Sequence, residues 1–241
     1  MATPQPSPKS YGIVLFPQFE VLDAAGPLEI LNMLAFLSQN DEMKLSVIAQ
    51  TLDPVNPGPI APATLSANFN GQQHYLPTHT FDTAPPLDVL IVPGGRGTRA
   101  SDETLKPLLG FLRTTYHGRE GVKPLQYIFS ICTGSLLLAK AGILTGHRAT
   151  SNKKAWDLVT RSPESGQTHW VAKARWVVSG NVWTTSGVSA GIDGMVALVG
   201  EVYGEETAGK VCDAVEHSRV RDAGDDPFAE MNGCRDVLPV G

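Results

Sequence analysis

Tyr127-Ile128-Phe129-Ser130-Ile131-Cys132-Thr133-Gly134-Ser135 passes from an apolar, β-branched strand pattern straight into a helical one, with a cysteine at the junction. Such a turn resembles a nucleophile elbow, which lifts its side chain above the carboxyl end of a sheet, where open α/β folds place their ligands. A helix start behind Cys132 offers unpaired N–H groups and the positive end of a dipole, and both favour a thiolate. Gly134 lets a neighbouring backbone come close. The plain alternative is that Cys132 is a small buried hydrophobe; its place at the junction favours the nucleophile. Pro93-Gly94-Gly95 ends a neighbouring strand pattern, so the N–H groups of Gly94 and Gly95 can turn into the same crevice and, with that of Thr133, form an oxyanion hole. Asp23 lies between Leu22 and Ala24 at the end of the first βα loop. A partly buried carboxyl there has a raised pKa and can share a proton with the thiol; a helix cap or a solvated loop acid fits the same residues.

These residues need a parallel sheet to bring them together, and the chain has its rhythm. Short apolar runs alternate with helical patterns, which predicts an α/β fold with helices on both faces. Strands are expected at Tyr11 to Phe16, Lys44 to Gln50, Leu87 to Val92 and Leu125 to Ile131. A helix is expected near Gly26 with Pro27 in its first turn, since proline loses nothing there. Further helices are expected at Ser101 to Thr115, after Thr133 up to Gly142, at Asn152 to Thr160, and at Glu205 to Arg219. Val188, Ile192, Met195, Val196 and Val199 form one apolar helical stripe. Trp176 to Val178 and Val182 to Thr184 flank a tight turn. Ala63 to Phe69 with His74 to Phe81 suggests a small side hairpin beyond a proline-rich loop. One domain is expected over residues 10–222, with a flexible tail at 1–9 and a loose C-terminal extension at 223–241.

Four blocks in order carry a resemblance. They are Phe19 to Glu29 (FEVLDAAGPLE), Asp88 to Gly95 (DVLIVPGG), Ile131 to Ser135 (ICTGS), and Gly146 to Ser151 together with Thr185 to Asp193. The chain resembles the ThiJ/PfpI superfamily of class I glutamine amidotransferase-like proteins, and within it the isonitrile hydratase-like branch. The resemblance implies a flavodoxin-like three-layer sandwich with a mostly parallel sheet. It also implies a Cys132 nucleophile supported by Asp23 and Thr133, no metal or organic cofactor, and a homodimer. The implied reaction is hydration of an isonitrile to an N-substituted formamide through a Cys132 thioimidate. One departure stands out: where many superfamily members carry histidine after the Ala-Thr pair, this chain has Ser151-Asn152, and asparagine is no general base. Peptidase and glutaminase chemistry are disfavoured accordingly. The competing readings are glyoxalase-type hydration of a dicarbonyl and a stress sensor that oxidises Cys132.

Composition limits the rest. The 241 residues carry 19 Lys+Arg against 24 Asp+Glu, a net charge of -5, and only 18% charged residues. A nucleic-acid binder would be basic. A regulator's ligand-binding domain ranks low, because the stretch after the last block is short for a helix-turn-helix module. No run of about 18 apolar residues suggests a membrane span, and the polar, proline-rich start is no signal peptide. Three cysteines, Cys132, Cys212 and Cys234, make no disulfide framework, so a cytoplasmic setting is expected. The histidines show no metal-ligand spacing, and the four tryptophans are expected mainly in core or dimer packing.

Overall fold

The structure, a computed structural model, describes residues 6–39, 42–58 and 73–240. Strands β1 (Ser10–Val14), β2 (Lys44–Ala49), β3 (His79–Thr80), β4 (Val89–Val92), β5 (Tyr127–Ser130), β8 (Trp176–Ser179) and β9 (Val182–Thr185) form one sheet in the order β3-β2-β1-β4-β5-β9-β8. All neighbours run parallel except β8, which pairs antiparallel with β9. Leaving aside the edge strands β3 and β8, this is the flavodoxin-like order, and its switch point lies between β1 and β4. β4 is apolar at every position and wholly buried, as a central parallel strand covered on both faces must be. The helical layers are α1 (Val21–Ser38), α5 (Ala190–Tyr203) and α6 (Glu205–Ala214) on one side, and α2 (Asp102–His117) and α3 (Gly134–Lys140) on the other. The α/β three-layer sandwich expected from the sequence is the fold.

Two readings of local sequence need correction. The first helix starts at Val21, not near Gly26, so Pro27 lies inside it and Asp23 sits in its first turn. Local signals lose here to tertiary pairing. Phe19 bridges Gly95, and the Glu20 N–H donates to the Gly94 carbonyl at 2.9 Å, which pins the chain against the end of β4 and fixes where the helix begins. Gly26 then lets α1 approach α5, since a Cβ there would lie 2.7 Å from Ile192.

The second correction concerns the C-terminus, which is not loose. A short helix α7 (Pro227–Met231) is followed by a pairing of Val237 with Trp170. A two-stranded sheet of β6 (Arg148–Ala149) and β7 (His169–Trp170) also went unseen, because two-residue strands carry no periodicity. The helix expected at Asn152 to Thr160 is a 3-10 turn, Lys153–Ala155, leading into α4 (Trp156–Thr160). The β8–β9 hairpin is as expected, with Gly180 at φ +63 in its turn. All four tryptophans are buried. The hairpin segment Ala63 to Phe69 lies outside the described residues; Tyr75, further on, pairs with Val55.

Candidate active site

β5 delivers Cys132 to the carboxyl edge of the sheet. The Ile131 N–H bonds to the Val92 carbonyl and the Cys132 N–H to that of Ser186. Between these anchors Cys132 takes φ +56, a left-handed conformation unusual for a residue with a Cβ. Such a conformation persists only where surrounding structure over-determines it. That structure is visible: the Cys132 carbonyl accepts from Ser151 Oγ at 3.0 Å and Ser135 Oγ at 3.2 Å, and the two hydroxyls bond each other at 2.8 Å. Gly134 is obligatory behind the nucleophile, because a Cβ there would sit 2.3 Å from the Val92 carbonyl oxygen.

Asp23 comes from the other side of the switch point and is fully buried. Its Oδ2 accepts the Gly94 N–H at 2.8 Å, while Oδ1 is buried without a hydrogen-bond partner. Burial pushes the carboxyl up to about 7, against the Gly94 N–H and the Cys132 thiol, which both favour its charge. The thiol is pushed up to about 12, first by burial and then by the Asp23 charge. The Thr133 N–H and the Asn152 amide act on the sulfur in the opposite sense and do not prevail. This corrects the thiolate expected from the helix start: desolvation and a like charge outweigh a few donors. At neutral pH the sulfur is a thiol facing a carboxyl poised to titrate.

Gly94 and Gly95 hold the site's own side chains. The Gly94 N–H is given to Asp23, and the Gly95 N–H goes to Thr133 Oγ1 at 3.0 Å. Neither points an open donor at a substrate, so the oxyanion hole expected from this turn reduces to the Thr133 N–H beside the sulfur. Thr133 Oγ1 also receives the Thr98 hydroxyl at 3.2 Å. Gly94 is glycine for space, since a Cβ there would lie 2.6 Å from Thr133 N and 2.9 Å from Cys132 Cβ. A cavity of about 310 Å³ is bordered by Asn152 and Ser186, both hydrogen-bonded to Cys132, by the rest of the loop to Ala190, and by Leu22 from the start of α1; Cys132 itself lies behind Asn152 and Ser186 and does not line it.

The DJ-1/PfpI family model matches residues 9–201. The chain belongs to the DJ-1/PfpI family. Among curated relatives, an isonitrile hydratase of Pseudomonas putida is 34% identical over 197 residues, spanning 82% of this chain and 73% of that protein. The HTH-type transcriptional regulator GbdR of Pseudomonas aeruginosa is 26% identical over 226 residues, 91% of this chain but 53% of the regulator. The DJ-1/PfpI assignment extends to solved structures. A ThiJ/PfpI family protein from Pseudomonas syringae aligns with a TM-score of 0.68 at 28% identity, covering 91% of this chain and 78% of that one. Drosophila melanogaster DJ-1beta, at 20% identity and a TM-score of 0.65 over 87% and 98% of the two chains, shares the fold.

In this DJ-1/PfpI chain the structure brings Cys132, Asp23, Thr133, Gly94, Gly95 and Gly134 to one point. Asn152, singled out in the sequence only as a missing histidine, donates Nδ2 to Cys132 Sγ at 3.2 Å while its Oδ1 accepts the Ala155 N–H. That second bond fixes which end of the amide meets the sulfur. Ser135 and Ser151 lay inside quoted motifs, yet nothing in their spacing tells that both reach one carbonyl. Asp193 is buried and gathers Arg175, His217 and the Val220 N–H, which fixes Arg175, one of the residues bordering the cavity. Among the described residues no group of three or more His, Cys, Asp or Glu is placed to hold a metal ion.

Proposed function

We propose that this protein is a cofactor-free isonitrile hydratase in which Asp23 carries a proton between Cys132 and the substrate. The observation that carries the reading is the fully buried Asp23 carboxyl against the Cys132 thiol, with an amide where a histidine base would stand. An isonitrile, R–N≡C, adds a nucleophile and a proton to the same terminal carbon. Its catalyst must therefore bring sulfur and proton donor to one atom. In the ionised form Asp23 takes the thiol proton as sulfur bonds to that carbon, then returns the proton to the carbon, giving the thioimidate R–N=CH–S–Cys132. Negative charge on the sulfur during this transfer meets the Asn152 amide and the Thr133 N–H.

Water completes the turnover. Asp23, ionised again, takes one proton from water as the water oxygen bonds to the carbon and passes that proton to the nitrogen. The hydroxyl then gives up its remaining proton through Asp23 to the sulfur as the carbon–sulfur bond breaks and the formamide carbonyl forms, which restores the Cys132 thiol. Net, one water is added and R–NH–CHO leaves. The 34% identity to an isonitrile hydratase supports this reaction. Oxidation sensing draws less support, because a buried thiol near 12 supplies little of the thiolate that peroxide requires. The test is formamide release from alkyl and aryl isonitriles by wild type, Cys132→Ala and Asp23→Asn at matched folded concentration. Turnover in wild type and loss in both variants is expected. Turnover retained by Cys132→Ala, or none by wild type on any isonitrile, overturns the reading.

A further inference from the structure

The family match ends at residue 201, yet the cavity beside Asn152 does not. The C-terminal segment contributes to its lining: Phe228 and Asn232 border it together with Leu22, Val188 and Ala190. Phe228 is half exposed, at 48%, and Leu22 is exposed to 43%, so two large apolar side chains border the same open space as Asn152, whose amide donates to the nucleophile's sulfur.

The segment is fastened tightly enough to act as a wall. Asp226 caps α7 through the Phe228 N–H at 3.0 Å and also faces Lys153 Nζ at 3.5 Å, both side chains being buried. Lys153 directly follows Asn152. Further along, the Trp156 ring N–H donates to the Arg235 carbonyl at 3.0 Å, Asp236 Oδ1 accepts the Ala172 N–H at 2.8 Å, and Val237 exchanges two backbone bonds with Trp170. A backbone relay also reaches the nucleophile: Ala223 O accepts from Arg175 N, Arg175 O from Ser186 N, and Ser186 O from Cys132 N. None of these fastenings uses the Phe228 side chain. Its ring is held at the cavity by contacts made elsewhere, an arrangement suited to recognition.

We propose that the C-terminal segment is the specificity wall of this active site, with Phe228 limiting the cavity to a compact apolar substituent on the reacting group. The isonitrile as that reacting group rests on the function proposed above; the wall rests on the geometry alone. About 310 Å³ is at the low end of ligand pockets, which run from about 300 to 1,000 Å³. Leu22, Val188, Ala190 and Phe228 offer hydrocarbon, and the nearby Arg175 is spent on Asp193. The substituent that fits is a single ring or a short branched chain.

The experiment measures kcat/KM for isopropyl, cyclohexyl and adamantyl isonitriles with wild type, Phe228→Ala and Phe228→Trp. Phe228→Ala is expected to raise the adamantyl-to-isopropyl ratio about tenfold and Phe228→Trp to lower it, as a few methylenes in an apolar pocket do. In parallel, alkylation of Cys132 by N-methyl- and N-phenylmaleimide, read by mass spectrometry, follows the same wall without any turnover. The phenyl-to-methyl rate ratio is expected to rise in Phe228→Ala and fall in Phe228→Trp. If wild type hydrates no isonitrile but the maleimide ratios move, the wall stands and the hydratase reading falls. Ratios unchanged within about twofold in both assays, in variants that keep the wild-type circular dichroism spectrum, overturn the proposal.

Discussion

Replacing Asp23 by Asn should destroy activity and stabilise the fold, and the gain should depend on pH. Asp23 is fully buried, and its carboxyl is pushed up to about 7 from an ordinary 3.8. A group whose folded pKa is raised binds its proton more tightly in the folded state. Its favourable contribution is complete below the unfolded value of 3.8 and is lost as pH rises through about 7. Across that gap, at ~1.4 kcal/mol per pKa unit, the ionised carboxyl costs the folded state ~4 kcal/mol relative to the protonated one.

Asn keeps an oxygen for the Gly94 N–H and carries no charge. At a pH near 5 the folded carboxyl still holds its proton but the unfolded chain has lost it, so the variant should lead by only about 1.5 kcal/mol. At a pH near 8 the lead should reach about 4 kcal/mol. Its Cys132 thiol, relieved of the neighbouring charge that helps push it to about 12, should alkylate faster with iodoacetamide. Urea unfolding across this range, at matched ionic strength, decides the matter. A difference independent of pH, or a loss of stability that grows with pH, would refute the claim that burial of this charge dominates the site.

Wild-type kcat/KM should rise with pH through about 7 and then level off, because the ionised form of Asp23 is the one that takes the thiol proton; a fall through that range would sink the proton relay. Cys132→Gly should be more stable than Cys132→Ala by about 1 kcal/mol, since only glycine holds φ +56 without a Cβ penalty, and thermal melts of the two inactive variants compare them directly. Thr133→Val should cost about 1–3 kcal/mol by leaving the Gly95 N–H without its acceptor, while the Thr98 hydroxyl keeps the Gly95 carbonyl, with Thr133→Ser restoring most of it in the same unfolding assay. Asp226→Ala leaves the buried Lys153 ammonium with only neutral acceptors, Thr150 Oγ1 and the Ser151 and Ala174 carbonyls, and should destabilise by up to about 3 kcal/mol, and protease digestion should then cut first within residues 221–240.

The sequence by itself determined the layout. Strand-forming runs separated by helical stripes specify a parallel sheet, because each periodicity matches one way of burying apolar side chains. The junction at Cys132 and the turn at Gly94 were legible for the same reason: each interrupts a pattern at the point where a strand must end. Tertiary structure decided what those residues became. The start of α1, and with it the position of Asp23, was set by Phe19 and Glu20 pairing with the end of β4, a contact that no local signal encodes. The charge state of Cys132 was reversed by burial beside a carboxyl, and burial belongs to the whole packed molecule. Asn152, read as a lost histidine, gained its place at the sulfur only when a 3-10 turn fixed its amide. The wall carrying Phe228 came from a stretch without periodicity, held down by a buried ion pair and backbone bonds between residues far apart in the chain. Periodicity records which face of an element is buried; the distance between two such faces is a property of the fold.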